Sequence, residues 1–255
     1  MSWNRKNFKT IALVWWCGLT AVLASPSADF RVANRFYDAG KFAEAATAYE
    51  AITPKTAHVY FNLGNACFRQ DKIGHAILNY ERARRLAPRD PDILANLKFA
   101  QQRLLVDEVN TPASALRRFV DNVLASRTID EWAGYELVGL WLTVLAVAGW
   151  VWWPKLRTGF MVGALAAAGV LLVMSVALGL RYYSDWVMPP AIVLSAKTEA
   201  RFAPLPDATV HFQVAEGTRV VIREDRGQWL FVERADGQQG WVKADGVERV
   251  AQPLL

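Results

Sequence analysis

The chain has 255 residues, 53% of them hydrophobic and 11 of them Trp, with a formal net charge of +5 and two cysteines. That is more apolar surface than an ordinary water-soluble protein of this size hides, so part of it is expected to face lipid. Its Lys and Arg are spread along the chain without a block of five or six like charges, which argues against a nucleic-acid partner.

Arg5, Lys6 and Lys9 form a positive start, Ile11 to Leu23 an apolar stretch, and Val22-Leu23-Ala24 a small-residue cleavage site. Residues 1–24 therefore read as an export signal, cleaved after Ala24 or kept as an anchor, and either outcome sends the following domain across the membrane. Cys17 lies behind Trp15-Trp16 in that apolar stretch and resembles no lipoprotein cleavage box. Cleavage leaves Cys67 as the single thiol, so no intramolecular disulfide is expected. Its apolar surroundings predict a buried structural cysteine, because a reactive thiol needs exposure and positive neighbours.

Residues 25–106 carry a helical repeat pattern. From Tyr60 the sequence reads YFNLGNACFRQDKIGHAILNYERARRLAPRDP, in which Gly64 and Ala76 are small where two antiparallel helices must touch. Tyr60, Leu63, Cys67, Ile77 and Tyr80 are placed to fill the space between those helices, and Pro88 to end the second. The spacing of Leu63, Gly64, Ala76, Tyr80, Ala83 and Pro88 resembles the tetratricopeptide repeat. A weaker copy runs from Phe30 to about Ile52 with Phe36, Gly40, Phe42, Ala45 and Tyr49 in corresponding places. Ala45 and Ala76 stand 31 residues apart, below the usual period of about 34, which predicts a tight loop around Thr53-Pro54-Lys55. Asp90-Pro91 then opens a third, incomplete unit with Leu94 and Leu97, read as a capping helix.

Resemblance to that repeat family implies a concave, peptide-holding face lined by Asn34, Tyr37, Phe61, Asn65, Phe68 and Arg69. The competing expectation is that these side chains only pack against neighbouring repeats. Some family members grip a terminal carboxylate, and Asn34 with Asn62 stands in suitable places. Asp92 and Asn96 occupy the positions of the basic partners, however, so no such receptor is expected.

Residues 107–131 read as an amphipathic linker helix opened by Thr111-Pro112, with Leu116, Phe119, Val120, Val123 and Leu124 opposite Arg117 and Arg118. It is expected either to dock on the repeats or to lie in the headgroup layer. Thr128 and Glu131 then form a capping box for the next helix.

Residues 132–153 and 159–180 read as two transmembrane helices joined by a loop at 154–158. Leu137–Trp153 and Gly159–Leu180 are free of charge, apolar all round, and long enough for a bilayer core. Trp132, Tyr135, Trp150, Trp152, Trp153, Tyr182, Tyr183 and Trp186 flank them as interfacial aromatics do. Lys155 and Arg157 place the loop on the cytoplasmic side, and two crossings return residues 190–250 to the side of the repeats.

In residues 190–250 the period changes to two, with turns at Asp225-Arg226-Gly227, Asp236-Gly237 and Asp245-Gly246. The run EGTRVVIREDRGQWLFVERADGQQGWV, through Gly217, Gly227, Trp229 and Gly240-Trp241-Val242, closely resembles a bacterial SH3 domain. Alternation predicts Leu230 and Val232 in the barrel core and Trp229 and Phe231 on the other face. With Trp241 these would line a shallow peptide groove, or else merely cover the barrel ends.

The predicted fold is therefore multi-domain: all-α tetratricopeptide repeats, a two-helix transmembrane hairpin and a small all-β SH3-like barrel. This order of modules resembles BatE-type proteins of aerotolerance operons. The resemblance implies an inner-membrane scaffold with periplasmic modules, working beside von Willebrand A-domain Bat proteins and, indirectly, a MoxR-type AAA+ ATPase. The alternative is a cell-wall sensor or tether whose barrel binds peptidoglycan peptides. No catalytic residues, metal or cofactor are expected: a lone Cys67 cannot exchange disulfides, and His58, His75 and His211 have no ligand spacing.

Overall fold

The computed structural model describes residues 28–104, 123–183 and 187–251. The expected export signal lies outside these residues, as does most of the expected linker helix, of which residues 123–125 are described and helical.

The N-terminal unit is a stack of helix pairs whose small residues allow close contact. Helices α1 (Ala28–Asp38) and α2 (Phe42–Ala51) form the first pair, α3 (Ala57–Arg69) and α4 (Ile73–Leu86) the second, and α5 (Pro91–Arg103) stands alone after them. Ala33, Ala45, Ala66, Ala76 and Ala83 are fully buried. Gly64 lets α3 approach α4 so closely that an added Cβ would lie 2.6 Å from Tyr80 Cε1. The expected cap at Asp90 is present, its carboxylate accepting from the Asp92 and Ile93 amides at 3.0 and 3.2 Å with Pro91 in the first turn. In α5 the core takes Ile93 and Leu97, whereas Leu94 is exposed.

Helices α6 (Ile129–Trp152) and α7 (Arg157–Tyr182) form an antiparallel hairpin around a single 3₁₀ turn at Pro154–Leu156. Thr128 and Glu131 make the capping box in full: the Glu131 amide donates to Thr128 Oγ1 at 3.2 Å and the Thr128 amide to Glu131 Oε2 at 3.0 Å. Both helices are long and apolar enough to cross a membrane, and few of their residues are buried by the rest of the chain. Because α6 begins at Ile129, it includes Glu136, whose Oε1 accepts a hydrogen bond from Ser175 Oγ of α7 at 2.6 Å. Gly149 gives the tightest packing in the hairpin, against the Phe160 ring.

The C-terminal unit is one antiparallel sheet of seven strands: β1 (Pro190–Val193), β2 (Lys197–Arg201), β3 (Val210–Ala215), β4 (Arg219–Asp225), β5 (Trp229–Arg234), β6 (Gln239–Lys243) and β7 (Val247–Arg249). Their order is β3-β2-β6-β5-β4-β1-β7. The turns after β4 and β5 need positive φ, supplied by Gly227 at 74° and Gly237 at 85°. In each, an aspartate side chain, Asp225 or Asp236, accepts the amide two residues on. Leu230 and Val232 lie in the core beside Val220, Ile222 and Val242, as alternation predicts.

The repeat unit and the barrel are not separate bodies on a string. Ile192 of β1 and Val250 after β7 belong to the same hydrophobic cluster as the repeat helices. At one end of α4 the Gly74 amide donates to Glu216 Oε1 at 2.7 Å. Further along, Arg82 donates through Nη2 to Glu248 Oε1 at 2.6 Å and to the Arg249 carbonyl at 2.9 Å. A third tie joins the repeats to the hairpin, Arg89 Nη2 to Glu131 Oε1 at 2.6 Å.

Candidate functional site

Two surfaces were marked by the sequence, and the structure treats them differently. The first is the face of the first helices of each repeat. Asn34, Asn65 and Asn96 stand on α1, α3 and α5, the last two 31 residues apart and hydrogen-bonded to each other through Asn96 Nδ2 and Asn65 Oδ1 at 2.9 Å. Asn62 Nδ2 likewise reaches Asn34 Oδ1, at 3.4 Å.

Each of the two acceptor asparagines also holds a tyrosine from its own repeat. Tyr49 O–H donates to Asn34 Oδ1 at 2.6 Å and Tyr80 O–H to Asn65 Oδ1 at 2.7 Å. Burial pushes the Tyr49 hydroxyl up to about 12 and raises Tyr80 as well, so both are donors throughout the neutral range. The carbonyl oxygens of Asn34 and Asn65 are thus committed inside the array, where they fix each first helix against the next.

One turn further along, Tyr37, Phe68 and Phe99 repeat the 31-residue step and give the three helices an aromatic rail. Phe68 and Phe99 meet at 5.5 Å between ring centroids, Tyr37 packs edge-on to Phe42 at 5.2 Å, and Phe61 leans on Tyr80 at 6.0 Å. Arg69 places its guanidinium 4.4 Å from the Phe42 centroid. All six sequence-predicted residues therefore lie along this stack, half-buried except for exposed Arg69. The sequence reading placed Asn96 on this face only as a residue standing where a basic partner would be, and it missed Phe99, which is 59% exposed and the most open aromatic of the rail. Carrying the 31-residue step from Phe68 into α5 would have found it.

The second surface is the aromatic face of the barrel. Trp229 and Phe231 share a face by alternation, and Phe231 stands directly opposite Trp241 across β5 and β6, their rings 5.1 Å apart. Arg226 lies 4.6 Å over Trp241. Trp229 and Trp241 are only 8% and 7% exposed, and Phe231 is half-buried, so the three rings offer little open surface in this conformation.

Cys67 is buried in the repeat core, and burial pushes its thiol up to about 11, which keeps it protonated and a poor nucleophile at neutral pH. Among the described residues no three His, Cys, Asp or Glu side chains group as a metal site requires. A cleft of about 280 Å³ opens where Arg82 meets β7 and the β4–β5 turn. Its charges are already matched, Arg82 with Glu248 and Arg249 with Asp225 at 2.5 Å, so it offers an incoming ion no unmet partner.

Comparison with known proteins agrees with this division. Residues 57–90 match the tetratricopeptide repeat family. Residues 201–247 match a family described as the bacterial dipeptidyl-peptidase Sh3 domain. No curated protein and no solved structure matches the chain. The protein thus combines a tetratricopeptide unit, two apolar helices and a bacterial SH3-like sheet, and its recognised modules are of protein-interaction type.

Proposed function

We propose that this protein is a membrane-anchored scaffold that acts by binding, not by catalysis, and that its ligand surface is the first-helix face of the repeats. The observation that carries this reading is the aromatic rail Tyr37, Phe68 and Phe99, kept in register by the asparagine bonds and left open at Phe99. An extended peptide with apolar side chains suits such a face. The contact between α4 and the barrel supports a placement of both modules on one side of the membrane, in keeping with two crossings between them. Together with the export signal and the basic Lys155 and Arg157, it supports a periplasmic head on the bacterial inner membrane.

The partners favoured by module order are von Willebrand A-domain Bat proteins, with a MoxR-type AAA+ ATPase acting indirectly, in an envelope complex tied to stress or oxygen tolerance. Crosslinking from Phe99 in native membranes tests this: photo-crosslinker at that position is expected to trap a membrane or periplasmic protein. Recovery of the uncrosslinked chain alone would contradict the scaffold.

A second reading, a cell-wall tether, is favoured by the match of residues 201–247 to the Sh3 domain family of a bacterial dipeptidyl-peptidase. It places peptidoglycan peptides on the aromatic face of the barrel. Detergent-solubilised full chain that sediments with insoluble peptidoglycan, and fails to do so as Phe231→Ala, would favour it over the scaffold.

A further inference from the structure

We propose that the barrel serves the repeat array as an intramolecular cap, with α4 as its partner and the β1–β7 edge as the surface that does the docking. This goes beyond the scaffold reading and stands without the membrane, because every contact involved lies within the head.

A repeat helix buries only the faces that its neighbouring helices meet, so an apolar residue on another face needs other cover. Helix α4 shows the problem plainly. Ile77, Tyr80 and Ala83 turn inward to the repeat core, yet Leu78 is also buried, on another face. Gly74, Leu78 and Arg82 follow one another at four-residue steps and so lie along a single stripe of the helix. The barrel meets that stripe at both ends. Gly74 has no room for a side chain, because an added Cβ would stand 2.8 Å from Glu216 and 3.2 Å from the Val193 carbonyl. Arg82 is 9% exposed and also donates through Nε to the Val250 carbonyl at 3.4 Å. Between them Leu78 shares a cluster with Ile192 and Val250.

The benefit runs in both directions. Strand β7 ends the sheet, and an end strand leaves backbone groups open to unwanted pairing; Arg82 accepts that role of cover by donating to the carbonyls of Arg249 and Val250. In return, the Glu216 carboxylate satisfies one of the amides that the first turn of α4 cannot pair internally, at the end where negative charge is favoured. Nearby, buried Glu81 is bonded to Arg84 at 2.7 Å and is held ionised by the field of Arg219 from β4. Each module thus supplies polar partners to the other, a pattern that a loosely tethered domain does not need.

Cys67 reports on this coupling, because it is buried in the repeat core and is none of the residues that bond or pack directly at Gly74 and Arg82. The test uses full-length chain in detergent with Cys17→Ser and follows maleimide labelling of Cys67. Arg82→Glu is expected to speed labelling by about tenfold or more, through opening of the array, and adding Glu248→Arg to the same chain is expected to restore slow labelling. Labelling of Arg82→Glu at the parental rate would overturn the proposal. So would fast labelling that the charge exchange fails to reverse, since the damage would then lie within the repeats.

Discussion

Asn65 holds three elements at once, and its neighbours supply the most local tests. Tyr80→Phe removes the hydroxyl that donates to it and should lower head stability by about 1 kcal/mol, read as a shift in the urea midpoint of the detergent-solubilised chain. Gly64→Ala should cost more, about 1–3 kcal/mol, because the new methyl meets the Tyr80 ring. Phe99→Ala should leave the midpoint within about 0.5 kcal/mol while weakening partner capture, since its ring is mostly exposed. Acid stability has a defined sign at Glu81. Burial alone would raise this carboxyl, but Arg219, Arg84 and Arg85 outweigh it and hold it below the ordinary range. A depressed folded value gives stability that is fully present above the unfolded value of about 4.3 and is lost as pH falls through the folded one. Glu81→Gln should therefore flatten the acid limb of a stability-against-pH curve. Asn34 and Asn65 were legible as first-helix positions of a repeat, but not as acceptors. Their tyrosine donors lie 15 residues away, and only the fold brings the pairs together.

Elements were most legible where a local signal marks an end. The Thr128 and Glu131 pair announced α6, and Thr128→Ala should cost that helix about 1 kcal/mol, visible as earlier loss of helicity on heating in detergent. Asp90-Pro91 marked α5, and the aspartate-glycine pairs marked the barrel turns, because Gly227 and Gly237 supply a backbone conformation other residues adopt poorly. Charge alone did not give the helix its start: the uncharged stretch begins at Leu137 and the expected span at residue 132, whereas the helix begins at Ile129 and carries Glu136 into contact with Ser175. Alternation divided β5 correctly into Leu230 and Val232 on one face and Trp229 and Phe231 on the other. How far the two indoles are covered depends on the pairing of β5 with β6 and on Arg226 over Trp241, which alternation does not encode. In the hairpin, Gly149→Leu should separate α6 from α7, because the Phe160 ring occupies the space where its side chain would go.

At the scale of the whole molecule, the three modules could be read in order from the sequence, whereas the union of two of them could not. Arg82 and Glu248 are separated by most of the chain, including both apolar helices, and no local periodicity connects them. Leu78, which shares a hydrophobic cluster with Ile192 and Val250, carries no mark in the repeat pattern of such a partner. That union bears on the proposed membrane arrangement, since two parts in contact occupy one compartment. Reporter fusions after Gln102, at Lys155 and after Leu255, in cells making the full chain, test this arrangement most directly. An external reporter is expected at the first and last positions and a cytoplasmic one at Lys155. Reporters after Gln102 and Leu255 on opposite sides of the membrane would contradict it.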